Sequence, residues 1–493
     1  MKLPFRGTLA VLYLLCSSSG FGRQQDAGGS PARMSEETAA CVECHKSITP
    51  GIVEDWLTSR HARVTPSLAS SKAELERRVS STDIPASLRE IGVGCYECHS
   101  RNANDHKDNF DHFGYQINVI VSPRDCSTCH ALEAMQYSES KKAHALGNLR
   151  QNPIYHLLLE TITGMKVVDG QNVSRRPASE NTKLETCYAC HGTHVDALGL
   201  RTVSTSVGEI EVPDLTNWPN QGVGRRNPDG SYGACTACHP RHSFSIEIAR
   251  KPYTCAQCHL EPDVPAWEVY RESKHGNIML SKQHDQNWDA VPWKVGKDFR
   301  TPSCATCHNS LVTNADGEVI VSRSHDFGAR LWVRIFGLIY SHPQPKSGAT
   351  SIIKNKDGLP LPTTFSGVQA SEYLIDKEEQ QRRQMEMKKV CQSCHSTSWS
   401  ERHFVKLAQT IAEVDSMVIA STKLMLDGWK RKLANNANPF DEALEQKWVR
   451  QWLLYANSIR YGSAMGGPDY ATFKNGWYEL TRNLEEMRDY LRR

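Results

Sequence analysis

Cys235-Thr-Ala-Cys-His239 is one of eight Cys-x-x-Cys-His pentapeptides in this 493-residue sequence, and together they use sixteen of its seventeen cysteines. Two thiols at this spacing, followed directly by an imidazole, form an attachment site for a c-type haem. The thiols add to the haem vinyl groups and the histidine binds the iron. We therefore predict eight covalently bound haems c, held by Cys41, Cys44, His45, Cys95, Cys98, His99, Cys126, Cys129, His130, Cys187, Cys190, His191, Cys235, Cys238, His239, Cys255, Cys258, His259, Cys304, Cys307, His308, Cys391, Cys394 and His395.

Two other uses of paired cysteines fit this pattern less well. A structural zinc site needs two cysteine pairs per metal and gives no reason for a histidine after every second cysteine. A disulfide across two intervening residues closes a strained local loop and leaves the histidines unexplained. The pattern therefore favours haem attachment over both.

The first 27 residues have the layout of a cleaved secretory signal. Lys2 and Arg6 precede an apolar run, Leu9–Cys16, which is followed by the small residues Ser17–Gly20. Such a run is too short to cross a bilayer. We expect export to the periplasm or an equivalent extracytoplasmic compartment, loss of Cys16 with the signal, and no later membrane span.

Composition bounds the partners and the core. A formal net charge of +3 gives no reason to expect a nucleic-acid or membrane-surface partner. The apolar fraction of 39% is low for a chain of this length with a large core. Haem planes would supply the missing apolar interior, so we expect the chain without haem to be largely unfolded.

The sequence predicts a mainly α multihaem cytochrome c with two regions after the signal. Residues 28–400 form a turn-rich, haem-binding catalytic region, and residues 401–493 form a C-terminal helical bundle that packs on that region or on another subunit. The bundle is predicted because three segments have helical apolar spacing and charged faces. These segments are Val405–Asn435, Phe440–Tyr461 and Pro468–Arg493.

Twelve of the 20 histidines lie outside the motifs. Electron-transfer haems usually take a second axial ligand, often histidine, whereas a catalytic haem leaves that position open. For each such histidine the alternative is an ordinary surface or core residue. Beyond the eight motif histidines, the predicted iron ligands are His61, His112, His144, His194, His242, His325 and His342.

A weak repeat supports part of this ligand set. An aromatic residue, a serine and a histidine recur in Trp56–His61, Tyr137–His144 and Trp267–His275, each a short distance after a haem motif. On one short helix, the ring can lie along a porphyrin while the imidazole points at an iron.

The chain resembles the octahaem hydroxylamine oxidoreductase family, which includes hydrazine dehydrogenases of anammox bacteria. The resemblance covers nearly all of the mature chain and rests on the eight motifs together with Cys235–Phe244, Trp267–Gly276 and Arg334–Lys346. It implies that the haem of Cys187–His191 is catalytic and five-coordinate, with His191 as its proximal ligand. In an anammox bacterium, the expected compartment would be the anammoxosome lumen.

The resemblance also implies a substrate pocket. Asp263 and His275 would lie over the open iron face and accept protons as hydroxylamine is oxidised, and Tyr340 is a further candidate. The repeat leaves His275 open to a second interpretation, as an axial ligand. This chain has Val264 after Asp263, where relatives often have histidine.

Family oxidases carry a C-terminal tyrosine that bonds covalently to the catalytic haem of a neighbouring subunit, which implies a homotrimer. Tyr470 is the residue expected to form that bond, with Tyr478 as the alternative. Relatives often have Trp-His before the second glycine of this segment, where this chain has Phe473-Lys474-Asn475. Members without the bond resemble nitrite reducers.

Three functional hypotheses follow. The first is an exported oxidoreductase of nitrogen metabolism that oxidises hydroxylamine, or hydrazine, and passes electrons through seven further haems to a soluble cytochrome c. The second is a nitrite or hydroxylamine reductase of the same family. The third is a multihaem electron conduit without substrate chemistry, in which every haem is six-coordinate.

Overall fold

The computed structural model describes residues 30–492, so the expected signal segment and Cys16 lie outside the described residues. Helices dominate this part of the chain and its strands are short, which confirms a mainly α fold. The helices are α1 Glu36–Ile48, α2 Pro50–Thr58, α3 Arg60–Arg63, α4 Pro66–Ser70, α5 Ala86–Arg89, α6 Cys95–His99, α7 Pro123–Cys126, α8 Ala131–Glu139, α9 Ala145–Gln151, α10 Pro153–Thr163, α11 Glu180–Glu185, α12 Cys187–His191, α13 Ile246–Arg250, α14 Pro252–Ala256, α15 Ala266–Glu272, α16 Lys274–Lys282, α17 Cys304–His308, α18 Lys377–Gln392, α19 Thr397–Lys430, α20 Ala443–Val449, α21 Ala456–Met465, α22 Pro468–Thr472 and α23 Trp477–Tyr490.

Short strands connect the helices of the haem-binding region. The strands are β1 Asn109–His112, β2 Tyr115–Asn118, β3 Met165–Asp169, β4 Asn172–Arg176, β5 Ala197–Thr205, β6 Gly208–Leu215, β7 Trp293–Lys294, β8 Val312–Thr313, β9 Val319–Val321, β10 Val333–Arg334 and β11 His342–Pro343. Four antiparallel pairs are formed by β1–β2, β3–β4, β5–β6 and β10–β11. In the one three-stranded sheet, β7 runs parallel to β8, and β8 runs antiparallel to β9.

The C-terminal bundle begins earlier than its apolar spacing predicts. Helix α19 starts at Thr397 because Ser396 caps it, accepting a hydrogen bond from the backbone N–H of Trp399. It runs for 34 residues, which corresponds to about 50 Å. The boundary expected between residues 400 and 401 therefore falls inside this helix.

The second predicted bundle helix is continuous, whereas the third is broken. Residues 443–465 form α20, a π-helical segment at Arg450–Tyr455 and then α21. Between α22 and α23, Asn475 has a φ of 57°. A Cβ on Gly476 would lie 1.9 Å from the carbonyl oxygen of Ala471, so only glycine fits where the chain turns back on α22.

The bundle has the largest hydrophobic core of the described residues, formed where α19, α20, the π-helical segment, α21 and α23 meet. Trp448, Trp452, Tyr455 and Ile459 all lie on the buried face, as their three- and four-residue spacing requires.

Buried polar contacts fix the bundle against the haem-binding region. Arg460 is fully buried, pairs with Asp415 and donates to the carbonyl oxygen of Ile335 at 3.2 Å. One turn earlier, the side-chain amide of Asn457 donates to the carbonyl oxygen of Asp263 at 3.3 Å. The bundle therefore positions the segment that carries Asp263.

No helix within residues 30–492 combines the length and apolar character that crossing a bilayer requires.

Candidate haem centres and substrate pocket

One continuous cavity of about 2160 Å³ runs through the haem-binding region. It is lined by every motif cysteine and histidine except Cys44. All sixteen cysteines in residues 30–492 are free thiols, which is the state needed for addition to haem vinyl groups. The motifs therefore face a shared interior.

The motifs form tight helical turns. Helices α6, α12 and α17 coincide with complete motifs, and the Cys41–His45 motif lies within α1. The other four motifs lie at or beside short helical turns or helix ends. In a helical turn, residues three and four apart share one face. The first thiol, the second thiol and the imidazole are thereby presented to the cavity together.

Hydrogen bonds orient several motif imidazoles. The Nδ1 atom of His45 lies 2.8 Å from the Thr49 hydroxyl, that of His99 lies 2.7 Å from the carbonyl oxygen of Asn118, and that of His191 lies 3.3 Å from the carbonyl oxygen of Ala145. Engaging Nδ1 fixes the ring and leaves Nε2 for a metal, as for most metal-bound histidines.

Three histidine pairs have the spacing of two imidazoles on opposite sides of one iron. Nitrogen-to-metal distances of about 2 Å place two such ring centres roughly 6 Å apart. The ring-centre distances are 6.3 Å for His45–His112, 6.2 Å for His61–His130 and 5.9 Å for His275–His395.

Two further pairs are indicated by electrostatics. The pKa of His242 is lowered to about 4, chiefly by burial and also by the neighbouring His99. The pKa of His325 is likewise lowered to about 4 by burial, with His239 the next cause. A neutral imidazole is the form that binds a metal.

Three predicted ligands are absent from the residues that line this cavity. His194 is half-exposed, with its Nε2 atom 3.3 Å from the Asp196 carboxylate. The ring centre of His144 lies 6.0 Å from that of Tyr232. His342 is buried, and its Nδ1 atom bonds the carbonyl oxygen of Pro343 at 2.7 Å.

Thiols from different motifs meet one another inside the cavity. Hydrogen-bonding contacts join three cysteine pairs: Cys126 with Cys235, Cys190 with Cys258 and Cys255 with Cys304. Charge interactions also join Cys41 with Cys95, Cys98 with Cys129, Cys238 with Cys255 and Cys307 with Cys391. The three contacts and the four charge interactions together connect all eight motifs, so groups attached to them would form one series.

Two half-buried side chains from distant parts of the chain interact at the motif of His191. Burial is the main cause of the raised pKa of Asp263, and the nearby His191 partly opposes it. Tyr461 comes from α21, and its pKa is raised to about 12 by burial, with Arg334 and Asp263 acting on it as well. Asp263, Arg334 and Tyr461 all line the cavity.

The sequence indicated Asp263 as a pocket residue and Arg334–Lys346 as a segment of the family resemblance. It did not indicate Tyr461. Helical periodicity assigns Tyr461 to a bundle helix and gives no sign that its ring faces the cavity. The acidic, cationic and phenolic groups together could donate protons to a bound small molecule and attract an anion.

The structure separates the other expected pocket residues from His191. The ring of His275 faces that of His395. This arrangement is the one expected of an axial ligand, which is the second interpretation that the repeat allowed for His275. Tyr340 lies in the core of the bundle, and its hydroxyl donates to the carbonyl oxygen of Phe365 at 2.6 Å.

Tyr470 and Tyr478 differ in what they contact. Tyr470 is 1% exposed, and its hydroxyl donates to the Glu261 carboxylate of the same chain at 2.6 Å. Tyr478 is 58% exposed. The residue expected to reach another subunit is thus engaged within its own chain, and its alternative lies at the surface.

The donor set fits haem c. No group of three or more histidine, cysteine, aspartate or glutamate side chains in residues 30–492 is arranged to hold a metal ion by itself. The facing imidazoles occur in pairs, which leaves four positions for porphyrin nitrogens. Free thiols, oriented imidazoles and a common cavity complete the match.

Comparisons with known proteins agree with this donor set. The family model "Seven times multi-haem cytochrome CxxCH" matches residues 229–323, and "Cytochrome c554 and c-prime" matches residues 40–116 and 125–210. A solved "Hypothetical multiheme protein" is 44% identical over 94% of this chain and 96% of its own, with a TM-score of 0.88. The chain belongs to the multihaem cytochromes c.

Its fold is that of the hydroxylamine oxidoreductase-like multihaem cytochromes, which confirms the resemblance seen in the sequence. A Kuenenia stuttgartiensis reducing HAO-like protein complex superposes with a TM-score of 0.59 at 18% identity, over 93% of this chain and 85% of that one. A curated relative from the same organism, "Probable nitrite reductase-hydroxylamine oxidoreductase fusion protein", is 24% identical over 389 residues. The match covers 76% of this multihaem cytochrome but only 36% of that relative.

Proposed function

We propose that this multihaem cytochrome c is an oxidoreductase that reduces a small nitrogen compound, hydroxylamine or nitrite, at the haem of Cys187–His191. The observation that carries the direction is the engagement of Tyr470 with Glu261 of its own chain. Haem bound at Cys187 and Cys190 would supply an open iron position and exchangeable electrons.

His191 would hold the iron from the proximal side. Its Nδ1 atom lies 3.3 Å from the carbonyl oxygen of Ala145, at the start of α9. That contact sets the tautomer and the ring orientation, because a ring whose Nδ1 donates presents an unprotonated Nε2.

Asp263 would deliver protons. Reducing hydroxylamine to ammonia and water consumes two protons with two electrons, so a general acid near the substrate is needed. Burial raises the pKa of Asp263, so this carboxyl group keeps its proton to a higher pH than an exposed aspartate does. Tyr461 is a second proton donor at the same place.

Arg334 would favour anionic substrates. Its Nε atom donates to the carbonyl oxygen of Phe336 at 2.9 Å, which holds the guanidinium group at the cavity wall. A fixed positive charge attracts nitrite and stabilises negative charge that develops on a bound oxygen.

The tyrosine geometry favours reduction because the family resemblance associates oxidation with a tyrosine bonded to the neighbouring catalytic haem. Tyr470 would have to leave a buried site and break its bond to Glu261 to serve that role. Oxidation of hydroxylamine or hydrazine is the second candidate function, favoured by the exposure of Tyr478.

The names of relatives support an oxidoreductase of nitrogen compounds. The curated Kuenenia stuttgartiensis relative is named for both nitrite reductase and hydroxylamine oxidoreductase, and the structural neighbour is described as a reducing HAO-like complex. Export, eight bound haems, a soluble cytochrome c as electron partner and a homotrimer are further parts of the proposal.

Turnover of the haem-loaded protein tests the proposal in both directions. With a reduced dye, hydroxylamine or nitrite should be consumed, and Asp263→Asn should slow that reaction about 100-fold or more. Asp316→Asn changes an exposed aspartate and should leave the rate unchanged. Faster oxidation of hydroxylamine by an oxidised cytochrome c than reduction by the dye would contradict the proposed direction.

A further inference from the structure

We propose that the side-chain amine of Lys142 is the second axial ligand of the haem attached to Cys255 and Cys258, opposite His259. The Nζ atom of Lys142 lies 3.3 Å from Nε2 of His259, and both residues line the cavity. The inference rests on haem attachment at this motif and is independent of the direction of turnover.

The local fold places Lys142 at a ligand position. In three segments, a serine hydroxyl accepts a hydrogen bond from the N–H group three residues later, in the pairs Ser59–Ala62, Ser140–Ala143 and Ser273–Gly276. The residue two after each serine is His61, Lys142 or His275. Both histidines of this set face a motif imidazole, His130 or His395, and Lys142 faces His259 in the same way.

This register excludes the histidine that the sequence favoured. His144 lies four residues after Ser140, whereas His61 and His275 lie two after their serines. Its ring packs near Tyr232, and it is absent from the cavity lining. On this proposal, the ligand of the segment that the aromatic-Ser-His pattern identified is Lys142 and not His144.

Lys142 also contacts an aromatic ring at the cavity wall. No carboxylate in the described part of the chain lies within ion-pairing distance of it. Its Nζ atom lies 4.9 Å from the ring centre of Phe327.

For Lys142 to bind the iron, its side chain must move slightly and its amine must lose one proton. An iron between two nitrogens separates them by about 4 Å, so the flexible lysine side chain must withdraw by less than about 1 Å. The ammonium group releases one proton to solvent, and the freed lone pair forms the iron–nitrogen bond. No electron is transferred in this step.

The position gives this ligand a role in electron flow. Cys258 contacts Cys190 of the candidate catalytic motif, and Cys255 contacts Cys304 of the next motif. Axial ligands are a main control on haem potential. Lys142 would therefore set the potential of the group through which electrons pass between the candidate catalytic haem and the other haems.

Spectroscopy of the haem-loaded protein tests the inference without any turnover measurement. In ferric protein, low-temperature electron paramagnetic resonance should resolve one lysine–histidine haem beside the bis-histidine haems. Lys142→Ala should convert one haem equivalent from low-spin to high-spin, whereas Lys142→His should keep it low-spin with a changed signal. Lys142→Met should shift one midpoint potential upwards in a redox titration, because methionine ligation raises haem potentials.

Lys141→Ala and His144→Ala are the matched controls, and both should retain the wild-type spectrum. Haem content per chain, measured on every variant, identifies any that failed to mature, and for these the Lys142→His spectrum decides the question. An unchanged low-spin spectrum in fully loaded Lys142→Ala would overturn the assignment. Conversion to high-spin in His144→Ala would also overturn it, in favour of the histidine.

Discussion

Replacing Tyr470 with phenylalanine distinguishes the two directions of catalysis. In the structure, this change removes one hydroxyl group and keeps the buried ring, so no cavity is created. A hydrogen bond to a charged acceptor contributes about 1.5–3 kcal/mol. Glu261 lies at the surface, where water competes for its carboxylate, so we expect a loss at the lower end, about 1.5 kcal/mol.

The measurement is the free energy of unfolding of haem-loaded protein in urea, followed by far-ultraviolet circular dichroism. Tyr470→Phe combined with Glu261→Gln completes a double-mutant cycle, and the coupling should account for most of the single-variant loss. The control is Tyr478→Phe, which alters an exposed ring and should stay within about 0.5 kcal/mol of the parent.

The visible spectrum and a peptide digest test whether Tyr470 bonds only Glu261. If Tyr470 bonds only Glu261, Tyr470→Phe leaves the absorption of every haem unchanged, and digestion yields an unmodified Tyr470 peptide. A digest in which that peptide is joined to the haem peptide of Cys187–Cys190 would refute this reasoning. Oxidation of hydroxylamine or hydrazine would then be the better-supported function.

Two further predictions concern His275 and His106. His275→Ala should convert the haem of the His395 motif to high-spin, detected by electron paramagnetic resonance; a retained low-spin signal with lost turnover would instead indicate a proton-transfer role. His106 is buried between Asp108 and Asp125, whose hydrogen bonds raise its pKa to about 10 against burial, which acts in the opposite direction. Because the unfolded value is about 6.5, this stabilisation is complete below about pH 6.5 and decreases as pH rises towards 10. His106→Gln should lower the unfolding free energy by about 3–5 kcal/mol near neutral pH and flatten its dependence between those values; an unchanged slope would contradict this account.

The sequence predicted the haem-attachment motifs because each is a local pattern. Five consecutive residues determine where two thiols and one imidazole point, and in the structure the motifs face one cavity. Pairing across an iron is not local. His275 and His395 are 120 residues apart, and only the folded chain shows that their rings face each other.

Helical periodicity was a partial guide to the bundle. It identified the buried ladder of Trp448 and Trp452, but it did not show that Tyr461 faces the cavity or that the chain turns at Gly476. These features depend on contacts between elements, and apolar spacing along one helix does not show which elements pack against it.

The interactions between thiols of different motifs bear on how single electrons could be collected for a two-electron reaction. Soluble carriers deliver electrons singly, whereas breaking the nitrogen–oxygen bond of hydroxylamine needs a pair. Haems that followed these thiol interactions would form a series that branches at the Cys255–Cys258 motif, and such a series would hold the first electron while the second arrives. In the proposed reduction, the substrate site would then not need two simultaneous collisions, and a partially reduced intermediate would not need to be released between them.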